Sequence, residues 1–185
     1  MPRLILLNGA PGTGKTTIAR LLADRSPLTL AFSIDDLRHS LGRWQDDPSA
    51  AKVHARALGV ALLREQLALG HDVILAQYVI SSGIIDELQA DAGDLGASFH
   101  EIVLVLPAQA LATRLAHRLS NPTKVCHEIN NRMVVPSDAG ELAAAIDELL
   151  RERPRAERIN ASGTVEDTFA KVVEIFEPPG DDDDD

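Results

Sequence analysis

The chain has 185 residues, 45% hydrophobic and 25% charged, enough for one packed α/β domain and too few for two. Its apolar runs stop short of the ~20 residues that span a bilayer, and the single Cys126 excludes an internal disulfide. Half of the formal net charge of −10 lies in residues 181–185, all aspartate, and the acidic remainder argues against a nucleic-acid partner.

Residues 4–7 (Leu-Ile-Leu-Leu) form a short apolar run ending at glycines, which predicts a buried strand. This start lacks a basic stretch, a long apolar core and a cleavage site, so a cytoplasmic protein is expected. A helix follows from Thr16 to Ala23, with Ile18, Leu21 and Leu22 on one face, then a second strand over 28–32. Asp35 or Asp36 can cap the next helix, with Asp36 the expected cap. A long alanine- and leucine-rich helix spans 50–69 and stops at Gly70. A third strand is predicted over 73–76, a helix over 80–90, a loop over 91–96 and a fourth strand over 101–106. Pro107 suits the opening of a helix over 108–119. A helix over 139–150, a fifth strand over 158–161 and a helix over 165–176 complete the order. Continuous apolar strands alternating with helices predict a parallel sheet covered on both faces. Residues 1–177 read as one domain, and residues 178–185, which end in five aspartates, as a disordered, solvated acidic tail.

Gly9-Ala10-Pro11-Gly12-Thr13-Gly14-Lys15-Thr16 matches G-x-x-x-x-G-K-[ST] at every fixed position, between a strand and a helix. The glycines let successive N–H groups turn toward phosphate, and the helix adds its positive end, with Thr17 in the first turn. Lys15 is expected at the β- and γ-phosphates of ATP, and the Thr16 hydroxyl on Mg²⁺.

This loop, the preceding Leu6 to Asn8, and the segment Ala31-Phe32-Ser33-Ile34-Asp35-Asp36-Leu37 resemble the chloramphenicol phosphotransferase-like branch of small P-loop kinases. That group is related to shikimate, gluconate and nucleoside monophosphate kinases. The resemblance implies a three-layer P-loop NTPase fold, a five-stranded parallel sheet in the order 2-3-1-4-5, and a lid over roughly 118–136. It implies transfer of the ATP γ-phosphate to a hydroxyl of a small-molecule acceptor. Asp35 matches the acid that faces that hydroxyl, where it would accept the proton, support the metal, or both. Arg38 is placed for an anionic acceptor. Two departures stand out. Ser33 replaces the first acid of the Asp-x-Asp seen in shikimate-type kinases, and the third strand ends in Ala76-Gln77 rather than an acid. Gln77 and Tyr78 emerge at the carboxyl edge of the sheet and are candidates for the acceptor pocket, against simple loop packing.

The region 114–132 concentrates Arg114, His117, Arg118, Lys124, His127 and Arg132. The resemblance makes it a lid whose arginines close over phosphates, with Arg118 the leading residue and Arg114 the second. Cys126 and His127 lack partners at metal-ligand spacing, which argues against zinc. The resemblance places residues 160–164 beside adenine, where small residues permit backbone contact with a base; alternatively Thr164 or Ser162 caps the last helix. No Asn-Lys-x-Asp guanine signature occurs. Two alternatives remain open: a nucleotide-dependent binding or sequestering protein, and a polynucleotide kinase.

Overall fold

The structure, a computed structural model, describes residues 1–121 and 134–176. Strands β1 (Arg3–Gly9), β2 (Leu30–Phe32), β3 (Val73–Ala76), β4 (Ser98–Val105) and β5 (Glu157–Asn160) form one parallel sheet in the order β2-β3-β1-β4-β5. The helices are α1 (Lys15–Ala23), α2 (Ile34–Ser40), α3 (Pro48–Ala68), α4 (Ser82–Asp94), α5 (Ala108–Ser120), α6 (Ala139–Glu152) and α7 (Val165–Glu174). A 3-10 turn over Pro136–Asp138 leads into α6. The expected fold and strand order are those observed.

Alternation along β1 divides the core. Ile5 and Leu7 pack with Ile18, Ala19 and Leu22 of α1 and Val172 of α7. Leu4 and Leu6 pack with Leu63 and Leu67 of α3 and Ile85 and Leu88 of α4. A central parallel strand is apolar on both sides because helices cover both faces.

On α3 the buried residues Ala51, Ala55, Gly59, Leu63 and Leu67 fall four apart, which makes one face. At Gly59 a Cβ would lie 3.2 Å from Ile34 Cγ1, so the missing side chain lets α3 press against the start of α2. After α3, Gly70 takes φ +85° while its N–H bonds the Leu67 carbonyl and His71 N–H bonds that of Gln66. These two bonds satisfy helix-end carbonyls and turn the chain sharply toward β3.

Three local expectations are corrected. Helix α4 runs on to Asp94, through the expected loop, because Ala92 continues the buried face of Ile85 and Leu88. Strand β2 begins at Leu30, since Leu28 sits in a turn at φ +60°. The cap of α2 is Ser33, whose Oγ accepts from Asp36 N–H at 3.0 Å. Asp35 and Asp36 lie inside the first turn, where their charges favour the positive helix end. The tail 178–185, and Lys124, Cys126, His127 and Arg132 of the expected lid, lie outside the described residues.

Candidate active site

The loop between β1 and α1 is built by backbone geometry that most side chains resist. Gly9 has φ +140°, and a Cβ there would stand 2.5 Å from the Leu104 carbonyl oxygen on the neighbouring strand. Gly14, the residue before α1, has φ +96°, and a Cβ on it would meet nothing within 4 Å. The loop therefore keeps room at the helix mouth, where the first N–H groups have no intrahelical acceptor. Thr13 closes the turn, with its N–H (3.2 Å) and hydroxyl (2.9 Å) both donating to Ala10 O. Lys15 bends over the loop, and its ammonium donates to Gly9 O at 2.7 Å and Ala10 O at 3.0 Å. Burial pushes its pKa down from 10.5 to about 7, opposed by the Asp35 carboxylate and reinforced by Arg118.

These elements fit a nucleoside triphosphate with Mg²⁺. Positive-φ glycines, a helix N-terminus and a buried ammonium suit phosphate, and the Thr16 hydroxyl and Asp35 carboxylate are hard oxygen donors. Ala10, Pro11, Gly12 and Thr17 complete the stretch from the loop into α1.

Asn8, which the sequence reading did not single out as a site residue, is fully buried and ties two edges of the site together. Its Oδ1 accepts from Gly9 N–H at 2.7 Å and Val79 N–H at 3.0 Å, and its Nδ2 donates to Val79 O at 2.7 Å. The loop origin and the exit of β3 are thus one unit. The available signal was a polar residue closing an apolar strand just before the first glycine.

Asp35 sits in the first turn of α2 with its side chain 42% exposed, so it is both anchored and accessible. Its Oδ1 pairs with Arg38 Nη2 at 3.0 Å, and its Oδ2 accepts from Gln77 Nε2 at 3.1 Å. Gln77 Oε1 in turn accepts from Ile34 N–H at 3.0 Å. Arg38 lies over the Trp44 ring, with its Cζ 5.2 Å from the centroid, and approaches His39 Nε2 at 3.3 Å. Burial first, and then Arg38, lower the His39 pKa, which favours a neutral ring that can accept from the guanidinium. Arg38 therefore braces Asp35. Tyr78 is half-buried against the α1-side core, and burial raises its phenol pKa.

On the other side of the loop, Arg114 of α5 spans two segments. It donates to Ala161 O at 2.7 Å, Gly163 O at 3.1 Å and Thr13 O at 3.5 Å. Arg118, one turn further along α5, is half-buried and acts electrostatically on Lys15. Thr164 caps α7 in a reciprocal pair, Asp167 N–H to Thr164 Oγ1 and Thr164 N–H to Asp167 Oδ2, both at 3.1 Å. A cavity of about 470 Å³ lies between β4, β5, α5 and α6, touching the loop at Ala10 and Thr13. Lys15, Asp35 and Gln77 do not line it.

The family described as an AAA domain matches residues 5–135. No curated protein sequence matches the chain. Among solved structures, a gluconokinase from Sinorhizobium meliloti 1021 aligns with TM-score 0.58 and 17% identity, covering 96% of this chain and 98% of its own. The Deinococcus radiodurans tunicamycin resistance protein aligns with TM-score 0.58 and 18% identity, covering 96% of each chain. A chain of the Pnkp1/Rnl/Hen1 RNA repair complex aligns with TM-score 0.65 and 20% identity, over 82% of this chain and 46% of that one. At these identities the likeness is one of fold.

Proposed function

The chain belongs to the AAA-domain family, and on that premise we propose that it is an ATP- and Mg²⁺-dependent phosphotransferase acting on a hydroxyl of a small-molecule acceptor. The observation that carries this reading is the convergence of a phosphate loop and an oriented, accessible carboxylate. Asp35 is close enough to act on the Lys15 ammonium, yet open enough to meet a second molecule. A loop alone serves any nucleotide-binding protein, whereas a carboxylate facing it serves proton removal from an attacking hydroxyl.

In this reading Lys15 and the N–H groups of the loop and of the first turn of α1, through Thr17, bind the phosphates. Thr16 and Asp35 hold the Mg²⁺, which neutralises charge on the transferred group. Asp35 accepts the proton of the acceptor hydroxyl. Arg118 stabilises phosphoryl charge from α5, and Arg114 shapes the wall beside the nucleotide base by joining Thr13 to Ala161 and Gly163. Arg38 and Tyr78 border the acceptor space. Residues 1–177 act as one kinase domain.

A second reading, a nucleotide-gated binding protein with little transfer, has one observation in its favour. The end of β3 carries Gln77, an amide, where an acid would help hold metal. The deciding experiment is ADP release from Mg²⁺–ATP with and without pooled sugars, sugar acids, nucleosides, antibiotics and short 5′-hydroxyl oligonucleotides. Acceptor-dependent ADP release with phosphate recovered on one small molecule supports the proposal. Phosphate on the oligonucleotide moves the assignment to a polynucleotide kinase. Tight nucleotide binding without release in any pool selects the binding protein.

A further inference from the structure

We infer that Gln77 is a positioning residue for the transfer step, holding the Asp35 carboxylate in one orientation through a side-chain bridge that needs an acceptor at one end and a donor at the other. The inference rests on the phosphotransfer reading above and adds the device that aims its base.

The bridge follows from the sheet. Strands β2 and β3 are parallel neighbours with Phe32 opposite Leu75. Two residues beyond each lie Ile34 and Gln77, at the carboxyl edge, so the Gln77 side chain meets the first turn of α2. Gln77 is itself held in the ladder, its N–H bonding Leu7 O at 3.2 Å. Hydrogen-bond chemistry fixes which way its amide points. The Ile34 N–H can only donate, so the atom it meets at 3.0 Å is the amide oxygen. The NH₂ group then faces Asp35 Oδ2 at 3.1 Å, and Oδ2 must accept. With Arg38 Nη2 on Oδ1, each carboxylate oxygen has one donor and keeps a lone pair for an incoming hydroxyl.

The missing acid at the end of β3 thereby acquires a role. A glutamate at this position would keep the bond to Ile34 but turn an acceptor toward Asp35, setting like charges together. A methionine would lose both bonds. Arg38 packs half-buried against Trp44 and His39, so the guanidinium and the amide grip Asp35 from two sides.

Two measurements on the full chain test this. In a ¹H–¹⁵N spectrum the Gln77 side-chain amide, identified by its loss in Gln77→Met, should show one strongly shifted proton that moves in Asp35→Ala. The Ile34 backbone amide should move in Gln77→Met. A Gln77 amide indifferent to Asp35→Ala overturns the bridge. Basal Mg²⁺–ATP hydrolysis is then followed across pH. Gln77→Met should lower kcat about tenfold at a constant ratio to the parent, with Mg²⁺–ADP affinity within about twofold. Gln77→Glu should be slower still near pH 8, because it turns a like charge toward Asp35 in place of a donor. Full activity in Gln77→Glu or in Gln77→Met overturns the positioning role. A parent protein with no turnover, alone or with any pooled acceptor, overturns the phosphotransfer reading and with it the catalytic consequence, while the spectrum still decides the bridge.

Discussion

Nucleotide binding should be accompanied by proton uptake on Lys15, by an amount the structure sets. Burial holds this ammonium at a pKa of about 7 in the folded protein. At pH 8 roughly a tenth of such groups are protonated, because each pH unit above the pKa is a tenfold ratio. Phosphate oxygens interact with the charged form and draw the group back to full protonation. The Lys15 share of proton uptake on Mg²⁺–ADP binding should therefore be about 0.9 at pH 8, falling to about 0.1 near pH 6, since a group of pKa about 7 is already charged there. The terminal phosphate is ionised near pH 8, with a second pKa of about 6, so it contributes little at that pH. Titration calorimetry in buffers of different ionisation enthalpy reads the proton count directly. Lys15→Arg preserves the charge but cannot titrate, so it should bind with no uptake. Uptake near zero in the parent, or equal uptake in Lys15→Arg, refutes the reasoning. The same shift acts on folding. The unfolded chain keeps this proton to about 10.5 while the folded one releases it through about 7, so the contribution of Lys15 to stability rises with pH across that window. Lys15→Met should flatten this slope in urea melts.

Four further outcomes are expected. Asp35→Asn should lower acceptor-dependent turnover about 10²- to 10⁴-fold while leaving ATP binding by the loop largely intact, and unchanged turnover would remove Asp35 as the base. Lys15→Ala should impair phosphate binding and turnover together, as seen in ADP affinity and ADP release. Arg114→Leu strips three carbonyls of a charged donor and should lower stability by about 1–3 kcal/mol, read by urea melts, and raise KM for ATP. Gly9→Ala drives a Cβ to 2.5 Å from Leu104 O at φ +140° and should cost about 2–4 kcal/mol, with loss of nucleotide affinity, by the same melts and titrations.

Much of the architecture was legible because its causes are local. A continuous apolar run such as β1 needs covering on both sides, and alternating it with helical spacing leaves a parallel sheet as the economical solution. The phosphate loop is equally local, since glycine φ values, the helix start and Lys15 lie within eight residues. The two helix caps were also within reach. Ser33 precedes Asp36 by three residues, as Thr164 precedes Asp167, the spacing at which a cap hydroxyl meets the third helical N–H. Expecting Asp36 to cap α2 misplaced the helix start, because a cap must lie outside the turn whose N–H groups it satisfies.

Distance along the chain marks where sequence reading stops. Gln77 meets Asp35 across 42 residues because β2 and β3 are sheet neighbours, and Arg114 meets Ala161 across 47 because β5 lies beside β4. Side-chain chemistry made Gln77 a candidate for the acceptor and Arg114 for the phosphates. The sheet register turned one toward a carboxylate, and α5 turned the other toward three carbonyls. From the sequence alone came the loop, the helices and the alternation, which depend on neighbours along the chain. Which polar groups find each other was decided by tertiary packing, since a buried donor bonds whatever acceptor the fold brings within reach.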